Sequence, residues 1–181
     1  MSAEHMTPGF YGKIPATGDF VVRRLDRTFV RFWDRLAARH LVKLIETGLW
    51  PPQLGLRFLL DTSRHRPMVG VAVPSSDRVG RRFPLTAAAS CPRAGPDMVA
   101  RTAPWLGGVE NILITAHDGS IDADRLADML AGLPFPPLSP SKAGVLDGLL
   151  LWIDGVPPIV VDPEAPQDTL EELFATIREA G

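Results

Sequence analysis

Met68-Val69-Gly70-Val71-Ala72-Val73-Pro74 is a short β-branched run of the kind that forms a strand buried on both faces. Two more runs flank it, Leu56 to Asp61 and Phe83 to Ala89, separated from it by polar or proline-bearing turns. Strands this close together have no room for helical crossovers, so part of the sheet is expected to be antiparallel. Further out, Phe10 to Ile14 reads as a short strand. Leu149 to Ile153 and Ile159 to Val161 read as a hairpin around Asp154-Gly155.

Helical periodicity fills the remainder. Asp26 or Thr28 can cap a long helix carrying Phe29, Trp33, Leu36, Leu41, Leu44 and Ile45, stopped by Gly48, with Arg31, Arg35 and Arg39 on its opposite face. Pro96-Asp97 can open a second helix through Met98, Thr102, Trp105, Val109, Ile112 and Ala116. Gly107-Gly108 weakens that reading, and Val109 to Thr115 would equally suit a strand. Asp122 to Leu130 reads as a short helix. Asp168-Thr169-Leu170-Glu171 reads as a capping box ahead of Leu173, Phe174 and Ile177. Leu133 to Pro140 reads as a proline-rich connector rather than a packed element. The expected fold is a three-layer α/β/α sandwich: a mixed, partly antiparallel central sheet of about five strands, with helices on both faces. Residues 1–8 are expected to be a disordered N-terminus and residues 9–181 a single α/β domain, in keeping with a chain of 181 residues.

Composition excludes more than it selects. Hydrophobic residues are 45% and charged residues 22%, which is ordinary for a soluble globular protein. Cys91 is the only cysteine, so neither a disulfide framework nor a cysteine-built zinc site can form within one chain. No apolar run approaches a membrane span, no charged-then-apolar leader is read, and a reducing, cytoplasmic setting is expected. The net charge of −2 hides an asymmetry. Up to Arg101 there are 16 basic against 8 acidic residues, and from Thr102 onward 3 against 13. The halves can neutralise each other, or each can face a partner of opposite charge. Arginine makes up 16 of the 19 basic residues, which favours planar, bidentate contacts. A nucleic-acid role is disfavoured, because aromatics are few and not interleaved with the arginines.

No catalytic constellation stands out. Gly12-Lys13 lacks the spacing of a phosphate loop, and no G-x-S-x-G elbow occurs. His5, His40, His65 and His117 have no metal-ligand spacing. Neither catalysis, a metal nor a cofactor is expected. Two segments nonetheless hold more polar and special-backbone residues than a core needs. One runs from Gly12-Lys13 to Gly18-Asp19, and the other from Pro74 through Asp77, Arg78, Val79, Gly80 and Arg81 to Leu85. Structurally, Asp19 and Asp77 would cap turns and pair with Arg78 or Arg81. Functionally, the loops would present Lys13, Asp77, Arg78 and Arg81 to a partner or ligand. A carboxylate with arginines but no nucleophile or base makes a poor catalyst and a good contact surface.

Together the two segments resemble a known family. Gly12-Lys13-x-Pro15-x-x-Gly18-Asp19-Phe20 looks like the opening signature of the TagF family, associated with bacterial type VI secretion. Pro74-Ser75-x-Asp77-x-Val79-Gly80-Arg81-x-Phe83-Pro84-Leu85 resembles it again, as does Trp33 in the intervening helix. The similarity spans roughly residues 9–133. The family also commonly carries a paired-tryptophan strand late in the chain, where this sequence has Leu151-Trp152-Ile153. The resemblance implies an α/β/α domain without known catalysis that acts as a post-translational brake on the secretion apparatus. It would do so by engaging a cytoplasmic scaffold that carries a forkhead-associated (FHA) domain, opposing a kinase arm that works through threonine phosphorylation. Tyr11, Lys13, Asp77, Arg78 and Arg81 are the expected partner-binding residues. Gly12, Pro15, Gly18, Asp19, Phe20, Trp33, Pro74, Ser75, Gly80, Phe83 and Pro84 form the structural motif. The alternative is a small-molecule or phosphate-binding domain, even a hydrolase, centred on Lys13, Asp19, Asp77 and Arg81.

Overall fold

A computed structural model describes residues 7–139 and 142–180, so the N-terminal expectation falls, save Thr7 and Pro8, outside the described residues. Seven strands form one sheet: β1 (Gly9–Gly12), β2 (Val21–Arg23), β3 (Leu56–Thr62), β4 (His65–Val73), β5 (Leu85–Ser90), β6 (Gly148–Trp152) and β7 (Ile159–Val161). Their order is β2-β1-β5-β4-β3-β6-β7, and every neighbouring pair is antiparallel. This corrects the expectation of about five strands and a mixed sheet. The β3-β4-β5 meander is the nucleus. The β1-β2 pair adds to its β5 side and the β6-β7 hairpin to its β3 side, each in antiparallel register. Strand β2 has three residues with only Val21 buried, too short to show a period of two.

Strand alternation divides the core in two. Phe10, Leu59, Val69, Val71, Val73, Leu85, Ala87 and Leu150 pack with helices α3 (Met98–Thr115) and α4 (Ala123–Ala131). Tyr11, Phe58, Leu60, Met68, Ala88, Leu149 and Leu151 pack with α1 (Arg27–Leu36), α2 (Val42–Glu46) and α5 (Gln167–Ala180). Gly70 lies at a close approach in the middle of the sheet. A Cβ there would sit 2.4 Å from the Ala87 carbonyl oxygen and 2.6 Å from the Phe58 ring.

Asp26 caps α1, its carboxylate accepting from the Phe29 N–H at 2.9 Å. The expected single helix is interrupted by a π turn, Ala37–Leu41. The five-residue step from Leu36 to Leu41 overshoots one α turn, and the π turn absorbs the extra residue so that both stay buried. Helix α3 runs through Gly107-Gly108 without a break, which settles the strand alternative. Gly108 gives room to Leu133, whose side chain lies 3.2 Å from where a Cβ would project. The expected capping box at Asp168 is not used as one: α5 begins at Gln167, and the Leu170 N–H donates to the Pro166 carbonyl at 2.9 Å. The proline-rich connector forms no regular element, yet it is packed. Phe135 meets Trp105 edge-on at 4.8 Å, and Arg101 donates to Ser139.

Candidate functional site

The two polar segments leave the sheet side by side. Residues 13–20 follow β1, and residues 74–84 connect β4 to β5. Four backbone carbonyls of the first segment receive donors from the second. Ser75 Oγ donates to the Lys13 carbonyl at 2.7 Å, and the Arg78 guanidinium donates to that of Ala16 at 2.9 Å. The Arg78 N–H donates to the Thr17 carbonyl at 2.8 Å, and the Arg81 guanidinium to that of Gly18 at 2.9 Å. Loops this irregular leave carbonyls unpaired unless side chains reach them. Here the second loop supplies those side chains.

Asp77 is the centre of the arrangement. Its side chain is fully buried. Oδ2 accepts from Lys13 Nζ at 3.0 Å and Arg81 Nε at 2.7 Å, and Oδ1 from the N–H groups of Val79 and Arg81 at 3.1 and 3.0 Å. Burial pushes this carboxyl upward. The hydrogen bonds from Arg81, Lys13 and Val79 outweigh that and hold it well below the usual carboxylate range. Lys13 is buried too, its ammonium 5.0 Å from the Phe20 ring centroid. Gly80, at φ 86°, lets the chain reverse so that Arg81 returns to Asp77.

Aromatic rings seal the base. Tyr11 and Phe20 stack at 5.6 Å, and Phe83 meets both edge-on at 5.8 and 4.8 Å. The Tyr11 hydroxyl donates to Asp34 of α1 at 2.6 Å; burial and that carboxylate push its pKa up. Trp33 is fully buried against Phe58 and donates its indole N–H to Thr86 Oγ1 at 2.7 Å, tying α1 to β5. Outside this framework stand Phe20, 43% exposed, Val79, 72% exposed, and the exposed arginines Arg78 and Arg81.

Of the four residues of the alternative reading, Lys13, Asp77 and Arg81 converge. Asp19 does not join them: its carboxylate accepts from the Phe20 N–H at 2.7 Å. Two concavities have none of Lys13, Asp77 and Arg81 in their walls, the first away from the loops and the second against both of them. One of about 680 Å³ is bordered by Arg24, Asp26, Arg66 and Ala131. The other, about 450 Å³, is bordered by Pro15, Trp50, Ser76, Arg82 and His117. Cys91 is buried and its thiol is pushed up to about 12 by burial and by Asp61, which leaves it a core residue.

His117 carried no signal in the sequence. Burial lowers its pKa, while its hydrogen bond to the Pro74 carbonyl raises it partway back. Burial also lowers that of His65, with Asp26 opposing and Arg64 and Arg35 adding to the drop. The unfolded chain therefore takes up protons below the ordinary histidine value of 6.5 before the folded chain does, and stability falls as pH drops through that window. Thermal melts from pH 7.5 to 5.5 are expected to show a declining midpoint, and His117→Gln is expected to flatten the decline.

The chain is thus an α/β domain in which charged residues pin two loops together. Residues 9–133 match the TagF N-terminal domain, described as type VI secretion system-associated, and the chain belongs to that family. The crystal structure of PA0076 from Pseudomonas aeruginosa PAO1 is similar: 28% sequence identity, TM-score 0.63, covering 94% of this chain and 77% of that one. Among proteins with curated descriptions, none matches. No helix among the described residues is long and apolar enough to cross a membrane.

Proposed function

We propose that this chain is a non-catalytic, post-translational negative regulator of the bacterial type VI secretion system. It acts in the cytoplasm by binding an FHA-domain scaffold protein and opposes the kinase arm that works on the same apparatus. The observation that carries this reading is the state of Asp77. All four of its bonds are internal, so the residues best suited to chemistry hold the loops in shape instead. What the loops expose includes two apolar residues, Phe20 and Val79, and the arginines Arg78 and Arg81, whose guanidinium groups also bond the first loop. Such a patch suits a protein interface, where arginine and aromatic anchors carry most of the binding energy. Within it, Lys13, Asp77 and Tyr11 act as supports and Arg78 and Arg81 as contacts. The division of the core between two helix groups supports an α/β/α layering, with this loop surface at one end of the sheet. The ligand-binding alternative loses weight because Lys13 and Asp77 neutralise each other at 3.0 Å.

The test is a pull-down from the native bacterium with the wild-type chain and an Arg78→Glu, Arg81→Glu variant of confirmed fold. Recovery of the FHA-domain scaffold by wild type alone is the expected result. Recovery by neither bait would remove the regulatory reading, and recovery by both would move the surface away from this loop.

A further inference from the structure

Arg27, Arg31 and Arg35 on the outer face of α1, and Arg39 in the π turn that continues it, recur at every fourth position, all exposed. Side chains four apart on a helix are neighbours, and like charges there repel. Surface helices ordinarily interleave carboxylates on such a face. Here no ion pair involves any of the four among the described residues. Asp34, three positions from Arg31, is turned to the Tyr11 hydroxyl. Arg27 also stands in the first turn, where the helix dipole disfavours a cation, and the neighbouring N-cap carboxylate, Asp26, is engaged with the Phe29 N–H. Beside the stripe a concavity of about 440 Å³ is bordered by Asp26, Thr28, Phe29, Arg64, His65 and Arg66, three of them basic or imidazole groups against one carboxylate. Arg35 and Arg64 both act on His65, against the opposing Asp26 carboxylate, so the helix and the β3-β4 turn both bring positive charge toward one place.

We propose that this stripe, with Arg64 and Arg66, is a docking surface for an acidic helical segment of a partner protein that carries carboxylates at four-residue spacing. Guanidinium groups match carboxylates in bidentate geometry, and a helix with that spacing would meet the arginines one for one. A membrane is the poorer occupant because the large exposed apolar residues, Phe20, Val22, Val79, Val145 and Val160, all lie off α1. Nucleic acid is poorer as well. The α1 aromatics Phe29, Phe32 and Trp33 are buried, leaving no stacking platform between the arginines. This surface is separate from the loop patch at Phe20 and Val79 and does not depend on the partner proposed for it.

The test is fluorescence anisotropy on the full chain. The probe is a labelled 18-residue helical peptide with glutamates at four successive fourth positions, and its control has glutamines there. The expected result is binding to the glutamate peptide on the order of ten-fold tighter than to the control, weakening with added salt. The variant Arg27→Gln, Arg31→Gln, Arg35→Gln, Arg39→Gln, whose sites are exposed helix positions, is expected to lose that preference. An Arg78→Gln, Arg81→Gln variant is expected to keep it, which separates this surface from the loop patch. Equal binding of both peptides, or an unchanged preference in the quadruple variant, would overturn the proposal. So would tighter binding of a DNA duplex or of phosphatidylglycerol vesicles through the same arginines. A dimer in sedimentation that the quadruple variant abolishes would assign the stripe to a second copy and overturn it equally.

Discussion

Asp77→Ala is expected to lower the thermal midpoint by about 10 °C, the largest effect of any polar substitution in the molecule. Removing the carboxylate leaves the Lys13 ammonium buried with no anion, and breaking one member of a buried pair is far more damaging than replacing both. It also strips the Val79 and Arg81 N–H groups of their acceptor and frees the Arg81 guanidinium from its nearest contact. The double variant Lys13→Met, Asp77→Leu should recover part of the loss, because no buried charge is then left alone. A melt by circular dichroism decides it. A midpoint within 2 °C of wild type for Asp77→Ala, judged against the roughly 2–4 °C that each kcal/mol moves a domain of this size, would show that the loops do not depend on this carboxylate.

Gly12→Ala should cost more than about 3 kcal/mol, for two reasons that add. Gly12 has φ 140°, which L side chains rarely adopt, and a Cβ there would lie 2.1 Å from the Pro84 carbonyl oxygen. The obstacle is backbone, so no rotamer change relieves it. Because Gly12 also pairs with Val21, the strain falls on the β1-β2 edge and on the loop that β1 feeds. Urea unfolding of Gly12→Ala beside Gly18→Ala separates the effects, since a Cβ at Gly18 would meet nothing within 4 Å. Similar losses for both variants would contradict this reading of Gly12.

The β3-β4-β5 meander was legible because its runs are long, apolar and separated by turn residues. The hairpin at Asp154-Gly155 was legible from turn chemistry, and its strands pair as expected. Strand β2 was not, because one buried residue in three carries no pattern. The all-antiparallel topology was hidden for a different reason. The long excursion through α3 and α4 could return a strand in either direction, and only tertiary pairing of β6 with β3 decides it. At the site, the residue types of both loops were legible, and so was their lying together, which their excess of polar and special-backbone residues suggested. The Asp77–Arg81 pair was legible as well, but the bonds between the loops were not, since the acceptors there for Ser75, Arg78 and Arg81 are backbone carbonyls, which leave no trace in side-chain identity. For the same reason the sequence could not divide the loop residues into the buried pair Lys13 and Asp77 and the exposed arginines Arg78 and Arg81.

Binding of the scaffold by the proposed loop surface is tested by a substitution that changes the surface and spares the pins. Val79 is 72% exposed at the tip of the second loop, and its side chain makes none of the bonds that hold the loops together. Val79→Glu should therefore melt like wild type. Isothermal titration of purified wild type and Val79→Glu into the purified FHA-domain scaffold is expected to show saturable binding by wild type and affinity weakened about ten-fold or more by the variant. Equal affinities would place the interface elsewhere, and no binding by wild type would contradict the account.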